Sequence, residues 1–350
     1  MASISLCIIT KDNASTLARC LASARSLVDE IILVDTGSTD ATKSIAQEYG
    51  AKIFDFVWTD NFSEAKNEAL SKATGDWILN LDADETLASS DLPRLRALTD
   101  DKTTQGYFLI QRNYINAVGE FEWNSCAGDS YEESRVATGY APRKMLRFFR
   151  NLPEIRFEGV VHDSVIPALE RLGKMSQVKE TTIPIHHFGL LNRSPERMQK
   201  YVDLEKQHLK NDYFQEYQIA AQLHALGKLD EAAEHLVKSI QLNEHFSLSL
   251  LELAIIGIKK GKILESKPLL VRSLQLQEHP MTWSHLGIIE AHEQNPEKAI
   301  TCFEKAVALN PQNADLHYNL AQALKQAGKK SRAEQEFAKA AALNPVYKKG

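Results

Sequence analysis

Over the first hundred residues, short apolar runs alternate with stretches whose apolar positions recur at helical spacing. Residues 4–10 (ISLCIIT) and 30–36 (EIILVDT) read as strands buried on both faces, and 51–57 and 76–82 (DWILNLD) as two further strands. Between the first two, Leu17, Cys20, Leu21 and Ala24 mark a helix, and a second runs to Tyr49, where Gly50 is placed to end it. A third covers residues 61–72, with Asn61 and Glu64 spaced like a capping box. The alternation predicts a doubly wound α/β domain with a mostly parallel, Rossmann-like sheet. Such sheets bind ligands at the carboxyl ends of their strands, so Thr10, Asp35, Gly37, Asp82 and Asp84 are expected on one rim. After Asp101 the pattern changes. Residues 105–115 and 144–149 read as strands, and the irregular stretch between them (FEWNSCAGDSYEESR) has the character of a binding loop or lid that completes the site.

From about Tyr213 the chain resembles itself. Trp283, Leu286, Gly287, Ala299, Phe303, Ala306 and Pro311 recur as His317, Leu320, Ala321, Ala333, Phe337, Ala340 and Pro345. Earlier, more degenerate copies carry Ala254, Leu270 and Ser273, then Ala220, Leu236 and Ser239. Period and pattern are those of tetratricopeptide repeats, with units starting near residues 213, 247, 280 and 314. Each unit buries its apolar face by stacking on its neighbours, which predicts an all-α solenoid. Residues 195–211 read as a helix joining the halves. The expected division is 1–192 catalytic, 193–212 linker and 213–350 repeats.

Composition narrows the picture. A chain that is 43% hydrophobic and 25% charged has the balance of a globular protein. A net charge of -5, not gathered in blocks, argues against a nucleic-acid partner. Cys7, Cys20, Cys126 and Cys302 fit no zinc spacing and read as buried free thiols. The opening residues read as a strand rather than a secretory leader, and the most apolar later stretch, 248–258, is too short to span a bilayer. A cytoplasmic location is expected.

Candidate chemistry gathers on the predicted rim. Asp82-Ala83-Asp84-Glu85 follows an apolar strand, and carboxylates one residue apart there can address one ligand. Hard oxygen donors suit Mg²⁺ or Mn²⁺ shared with substrate phosphates. Asp35 can accept hydrogen bonds from a base or ribose, and Gly37 permits close backbone approach. Ser38 and Asp40 can cap the following helix. Lys66-Asn67 offers a cation that can offset phosphate charge. Arg143 and Arg147 would share one strand face, where one could meet phosphate or both could be solvated.

These segments resemble glycosyltransferase family 2, the inverting enzymes of the GT-A fold, over about residues 1–190. The matching pieces are CIITKDN (7–13), EIILVDTGSTD (30–40), NFSEAKNEAL (61–70) and GDWILNLDADE (75–85), in order and spacing. The resemblance is nearest to the branch containing lipopolysaccharide-core glucosyltransferases and peptide S-glycosyltransferases. It implies a nucleoside-diphosphate sugar donor, usually with uridine, and a hexosyl transfer. It implies Thr10, Asn13 and Asp35 around the nucleoside with Gly37 and Lys66 nearby, Asp82 and Ala83 against ribose or donor sugar, and Asp84 as the metal ligand, with Asp82 available to the same ion. A later segment, Arg156 to Asp163, is similar to the branch's R-x-F-x-G-x-x-H-E. It makes His162 a diphosphate or metal ligand and Asp163 the base, with Glu158 the alternative because Asp163 is one methylene shorter than the family's Glu. His186-His187-Phe188-Gly189 is similar to an H-Y-G segment ending such domains, where His187 either closes over the diphosphate or packs at the junction.

The leading expectation is therefore metal-dependent transfer of a sugar to an acceptor hydroxyl or thiol, with the repeats recruiting a protein or peptide acceptor or partner. The alternatives are a lipopolysaccharide or lipid-linked acceptor and, of another class, a non-catalytic adaptor. An exposed array end also allows a homodimer.

Overall fold

A computed structural model describes residues 2–116, 123–192 and 194–349. In chain order its elements are β1 (Ile4–Thr10), α1 (Ala14–Ala24), β2 (Glu30–Asp35), α2 (Thr42–Glu48), β3 (Lys52–Asp55), α3 (Phe62–Lys72), β4 (Trp77–Asn80), β5 (Glu85–Thr86), α4 (Leu92–Leu98), β6 (Gly106–Ile115), β7 (Asn124–Ser125), β8 (Gly139–Arg150), α5 (Ile166–Arg171) and β9 (Val178–His187). The helices α6 (Pro195–Gln207), α7 (Tyr213–Ala225), α8 (Leu229–Leu242), α9 (Ser247–Lys259), α10 (Lys267–Leu276), α11 (Pro280–His292), α12 (Pro296–Leu309), α13 (Ala314–Gln326) and α14 (Lys330–Leu343) follow. The chain forms two compact units. The first holds 1–115, 130–136 and 142–192; the second holds 116–129, 137–141 and 193–350.

In the first unit the strand order is β3-β2-β1-β4-β8-β6-β9-β5. The β3-β2-β1-β4 half is parallel, with Thr10 opposite Asp35 and Cys7 opposite Asn80. Beyond it the sheet is mixed: β8 runs antiparallel to β4, β9 parallel to β6, and β5 antiparallel to β9. The parallel half carries the apolar runs because both its faces are covered. One face packs Leu17, Leu21 and Ala24 of α1 against Leu6, Ile8 and Leu79. The other packs Ala69 and Leu70 of α3 and Leu169 against Cys7, Ile32, Ile78 and Phe149. Each buried Leu, Ile or Phe among them contributes roughly 1.5–3 kcal/mol on burial.

Two expected elements change length for a local reason. The fourth strand stops at Asn80, because the Asp82 amide donates to Glu85 Oε2 (2.8 Å) and the Glu85 amide to the Asp82 carbonyl (2.9 Å), which closes a turn. At α3, Asn61 Oδ1 accepts the Glu64 amide (3.3 Å), but Glu64 returns to the Asn61 side-chain amide rather than its backbone. Cys7 and Cys20 are buried, whereas Cys126 and Cys302 are only partly so.

The second unit pairs helices as the repeat requires, α7 with α8, α9 with α10, α11 with α12 and α13 with α14, each pair opening at or within a residue of its expected start. Gly287 shows why small residues recur: a Cβ there would lie 2.7 Å from the Phe303 ring. The α6 helix belongs to this unit, with Val202 packed among Ile219, Leu223 and Leu236. The irregular stretch 121–135 is divided. Phe121 and Glu122 lie outside the described residues, 123–129 go with the repeats, and 130–135 go with the first unit. Among the described residues no helix is long and apolar enough to cross a membrane.

At the end of the sheet away from the rim, Glu30 staples three strands. It accepts from Ser5 Oγ (2.6 Å), the Thr74 amide (2.6 Å) and Lys52 Nζ (2.7 Å). Burial pushes the Glu30 pKa up, but the bonds from Lys52, Ser5 and Thr74 prevail and hold it at about 2. A carboxylate with a depressed folded pKa adds stability above its unfolded pKa, near 4.5, and loses it as pH falls toward 2. Glu30→Gln is expected to lower stability at pH 7 by on the order of 1–2 kcal/mol, after discounting for solvent. Urea titrations across pH 7 to 3 check this: the gap from wild type narrows as pH falls, and a gap independent of pH would refute the staple.

Candidate active site

The rim is built from the loops after β1, β2 and β4 and from the end of β9. The first two loops are laced together. Thr36 Oγ1 donates to the Thr10 carbonyl (3.1 Å), the Asp12 amide to Ser38 Oγ (2.9 Å), and the Thr39 amide to Asp12 Oδ1 (2.7 Å). Asp40 accepts the Ala14 amide with one oxygen and the Thr42 amide with the other, so it holds the starts of two helices. Thr10 Oγ1 bonds Asn13 Oδ1 at 3.0 Å. Asp35 is fully buried. Its Oδ1 accepts the Gly37 and Ser38 amides at 3.0 and 2.9 Å, a turn that Gly37 permits at φ +104°. Its Oδ2 has no hydrogen-bond partner among the described residues.

Below the D-A-D turn lies a buried guanidinium. Arg147 of β8 donates to Asn80 Oδ1 (2.6 Å), to both oxygens of Asp82 (2.6 and 3.4 Å) and to Glu85 (3.3 Å). Glu85, completely buried, also accepts from Gln111 Nε2. Lys66 Nζ reaches Asp163 (2.8 Å) and Asp82 (3.5 Å), and Lys66 is itself buried. Burial opposes the Asp82 charge, but Arg147 and then Lys66 outweigh it and hold its pKa far below the carboxylate range. Burial dominates at Glu85 despite Arg147 and raises its pKa. Lys66 thus offsets carboxylate charge, and of the two arginines that strand alternation paired, Arg147 is buried and Arg143 exposed.

Asp84 stands apart from that network. Its Oδ2 faces His187 Nε2 at 3.6 Å, while His187 Nδ1 bonds Asn113 Oδ1 at 2.6 Å. Burial works against a charged His187, yet the facing carboxylate of Asp84, with Glu85 and Asp82 behind it, raises its pKa above the ordinary value. Gly189 leaves room for the pair: a Cβ there would lie 2.4 Å from Asp84 Oδ2 and 2.7 Å from His187 Nε2. Ala83 is buried in the core beneath.

The Arg156–Asp163 segment is clasped to α3. Asn67 exchanges both amide bonds with the Phe157 backbone (2.9 and 2.8 Å), and the Phe62 amide donates to the Val160 carbonyl (2.8 Å). This delivers Asp163 to Lys66. It does not deliver Glu158, whose carboxylate is forked onto the exposed Arg171. His162 sits on an exposed turn, and the imidazole that faces Asp84 is that of His187. Sequence reasoning gave no individual role to Asn80 or Gly189, although both lie in matched segments, and none to Gln111 or Asn113, because each acts through a neighbour brought in by the sheet.

Residues 5–161 match the family described as glycosyl transferase family 2, and residues 292–328 and 314–347 match tetratricopeptide repeat families. The chain carries a family 2 glycosyltransferase domain followed by tetratricopeptide repeats. A TPR repeat-containing protein of Synechococcus elongatus is 41% identical over 48% of this chain and 37% of its own length. An uncharacterized glycosyltransferase of Rickettsia felis is 46% identical over 25% of this chain and 31% of its own length. The chain thus spans about a third of the length of these relatives. The SPbeta prophage-derived glycosyltransferase SunS of Bacillus subtilis is 25% identical over 69% of this chain and 54% of its own. A solved structure of MamA from Desulfovibrio magneticus aligns with 43% of this chain and 85% of that one at TM-score 0.38 and 23% identity.

The family implies a divalent metal, and the donor set at Asp84 fits one. The Asn113 bond fixes His187 with Nε2 toward Asp84, the outer-shell arrangement typical of a ligating imidazole. Among the described residues no three ligand-type side chains converge. Two protein ligands with diphosphate and water completing the shell suit Mg²⁺ or Mn²⁺.

Removing the buried guanidinium would leave Glu85 without its cation and Asp82 with Lys66 alone. Arg147→Met is expected to cost about 3–5 kcal/mol of folding stability, read from the urea midpoint. A variant that unfolds with wild type would mean that the cluster is not held by this charge.

Proposed function

We propose that the chain is a divalent-metal-dependent, inverting glycosyltransferase that moves a sugar, most simply from a uridine-diphosphate sugar, to a hydroxyl or thiol of a protein or peptide. One observation carries this reading: the Asp84–His187 pair at the carboxyl edge of the parallel strands, beside an Asp82 whose charge is already balanced by Arg147 and Lys66. The family match over residues 5–161 supports the reaction class.

In this reading the turns around Thr10, Asn13 and Gly37 hold the nucleoside, and the spare Oδ2 of Asp35 is the acceptor offered to a base N–H or ribose hydroxyl. A buried oxygen without a partner costs about 1–3 kcal/mol, recovered when a donor arrives. Asp82, fixed and ionised, accepts from the ribose or donor sugar. Asp84 and His187 hold the metal, which would supply Lewis-acid neutralisation of the leaving diphosphate. His162, on its exposed turn, is left for the diphosphate.

Asp163 is the base in preference to Glu158, because it is brought to Lys66 beside Asp82, whereas Glu158 is turned onto the exposed Arg171. As the acceptor oxygen or sulfur bonds the anomeric carbon, its proton passes to Asp163. The bond from that carbon to the diphosphate breaks, and the nucleoside diphosphate leaves with the electron pair. The repeat unit recruits the acceptor or a partner that presents it, and the protein works as a cytoplasmic enzyme. Intact Asp35, Asp82, Asp84 and Lys66 speak against a purely adaptor role.

The direct test is donor hydrolysis across uridine, guanosine and thymidine diphosphate sugars, with and without Mn²⁺. One donor should be hydrolysed in a metal-dependent way. Asp84→Ala should lose at least about 100-fold in rate, an effect of order 2.7 kcal/mol, while melting within a few degrees of wild type. Full turnover by Asp84→Ala, or no metal-linked nucleotide binding by wild type, would reject this function.

A further inference from the structure

The loop between β3 and α3 leaves the sheet beside the acidic end of β2. Asp55, the last residue of β3, lies opposite Asp35, and the Phe56 amide donates to the Asp35 carbonyl (2.8 Å). Lys43 serves both carboxylates, bonding Asp55 and lying 3.8 Å from Asp35 Oδ1. The loop itself, Phe56-Val57-Trp58-Thr59-Asp60-Asn61, is apolar where it borders the strand ends and polar where it meets α3.

This loop is a built turn. The Trp58 indole N–H donates to Asp60 Oδ1 (2.7 Å), and Asp60 is held at φ +57°, a region that residues other than glycine seldom occupy. Thr59 Oγ1 donates to Glu64 (2.7 Å), and Asn61 caps α3. The Trp58 ring is braced edge-to-face on Phe62, with centroids 4.8 Å apart. These contacts satisfy the polar end of the indole and fix its plane, yet the residue is only half-buried. Val57 beside it is 87% exposed, more than any other large apolar side chain among the described residues. Apolar surface held in water by a fixed turn can be covered by a flat ligand at little ordering cost.

The chemistry next to the loop indicates which ligand. Asp35 is fully buried, and its Oδ2 has no hydrogen-bond partner among the described residues, so it calls for a donor. Uracil, thymine and guanine present an imino N–H; cytosine and adenine present a ring-nitrogen acceptor, which a carboxylate repels. Thr10, Asn13 and Gly37 offer hydroxyl, amide and backbone groups but no ring for the face of a base. Trp58 follows Asp55 by three residues, and three residues carry a chain at most about 11 Å, which keeps the indole beside the strand end where such a base would be bonded.

We infer that Val57 and Trp58 form the wall of a nucleobase pocket, with the indole stacked on a base whose imino N–H is taken by Asp35. Wall and carboxylate together select uridine, thymidine or guanosine donors against cytidine and adenosine ones. The inference rests on the function proposed above and adds to it the residues that read the base.

Binding to the full-length protein tests it. UDP with Mg²⁺ should bind and quench tryptophan fluorescence, and CDP should bind at least about tenfold more weakly. Trp58→Phe keeps a ring and should bind UDP within about threefold of wild type, but it should lose most of the quench, because Trp77 and Trp123 are buried and Trp283 lies in the repeats. Trp58→Ala should weaken UDP and uridine alike by about tenfold and leave inorganic pyrophosphate with Mg²⁺ unchanged. Val57→Ser, which alters an exposed side chain, should weaken UDP by about twofold. Wild-type affinity for UDP in Trp58→Ala, equal losses for UDP and pyrophosphate, an intact quench in Trp58→Phe, or CDP binding as tightly as UDP would each overturn the inference. A wild type that binds no nucleoside diphosphate at all would reject the function above, and this inference with it.

Discussion

A positive charge buried beneath an acidic turn organises the catalytic unit. Arg147 comes from a strand that runs antiparallel to the one carrying D-A-D, and its guanidinium is the common partner of Asn80, Asp82 and Glu85. A buried carboxylate such as Glu85 and a buried guanidinium would each cost several kcal/mol alone. Together they are tolerable because the fork of donors matches the acceptors around it. The D-A-D turn is tied to this cluster: Glu85, which accepts the Asp82 amide, is itself held by Arg147.

The cluster also divides labour between two aspartates that look equivalent in sequence. Asp82 has both oxygens on Arg147 and one also near Lys66, so it is fixed and ionised. Asp84, two residues on, faces the imidazole of His187, which is held from behind by Asn113. Neighbours with one local pattern acquire different chemistry because the turn points them at different parts of the sheet. Charge held in place before a ligand arrives needs little reorganisation when it does, which is the general advantage of a preorganised polar site.

The two halves of the chain illustrate different kinds of specification. In the repeats each helix pair meets mainly its neighbours, so a period of small and large apolar residues is close to a full description. Gly287 under Phe303 is the clearest instance. The excursion between β6 and β8 breaks that simplicity. Its polar and aromatic residues look like a free loop in sequence, yet Trp123 and Ser125 are partnered by residues almost two hundred positions and more away.

The sequence by itself determined the alternation of strands and helices, the repeat starts and the gathering of Thr10, Asp35, Asp82 and Asp84 on one edge. These follow from hydrophobic period and from the rule that parallel strands expose their carboxyl ends together. The motif NFSEAKNEAL was legible as a helix, but not that Asn67 clasps Phe157 or that Lys66 is spent on Asp82 and Asp163. Tertiary structure alone decided that Arg147 is buried while Arg143 is exposed, that His187 rather than His162 faces Asp84, and that Glu158 turns to Arg171. The reason is physical: period records which face of an element is buried, whereas the partner of a buried charge is set by which strands the sheet places side by side.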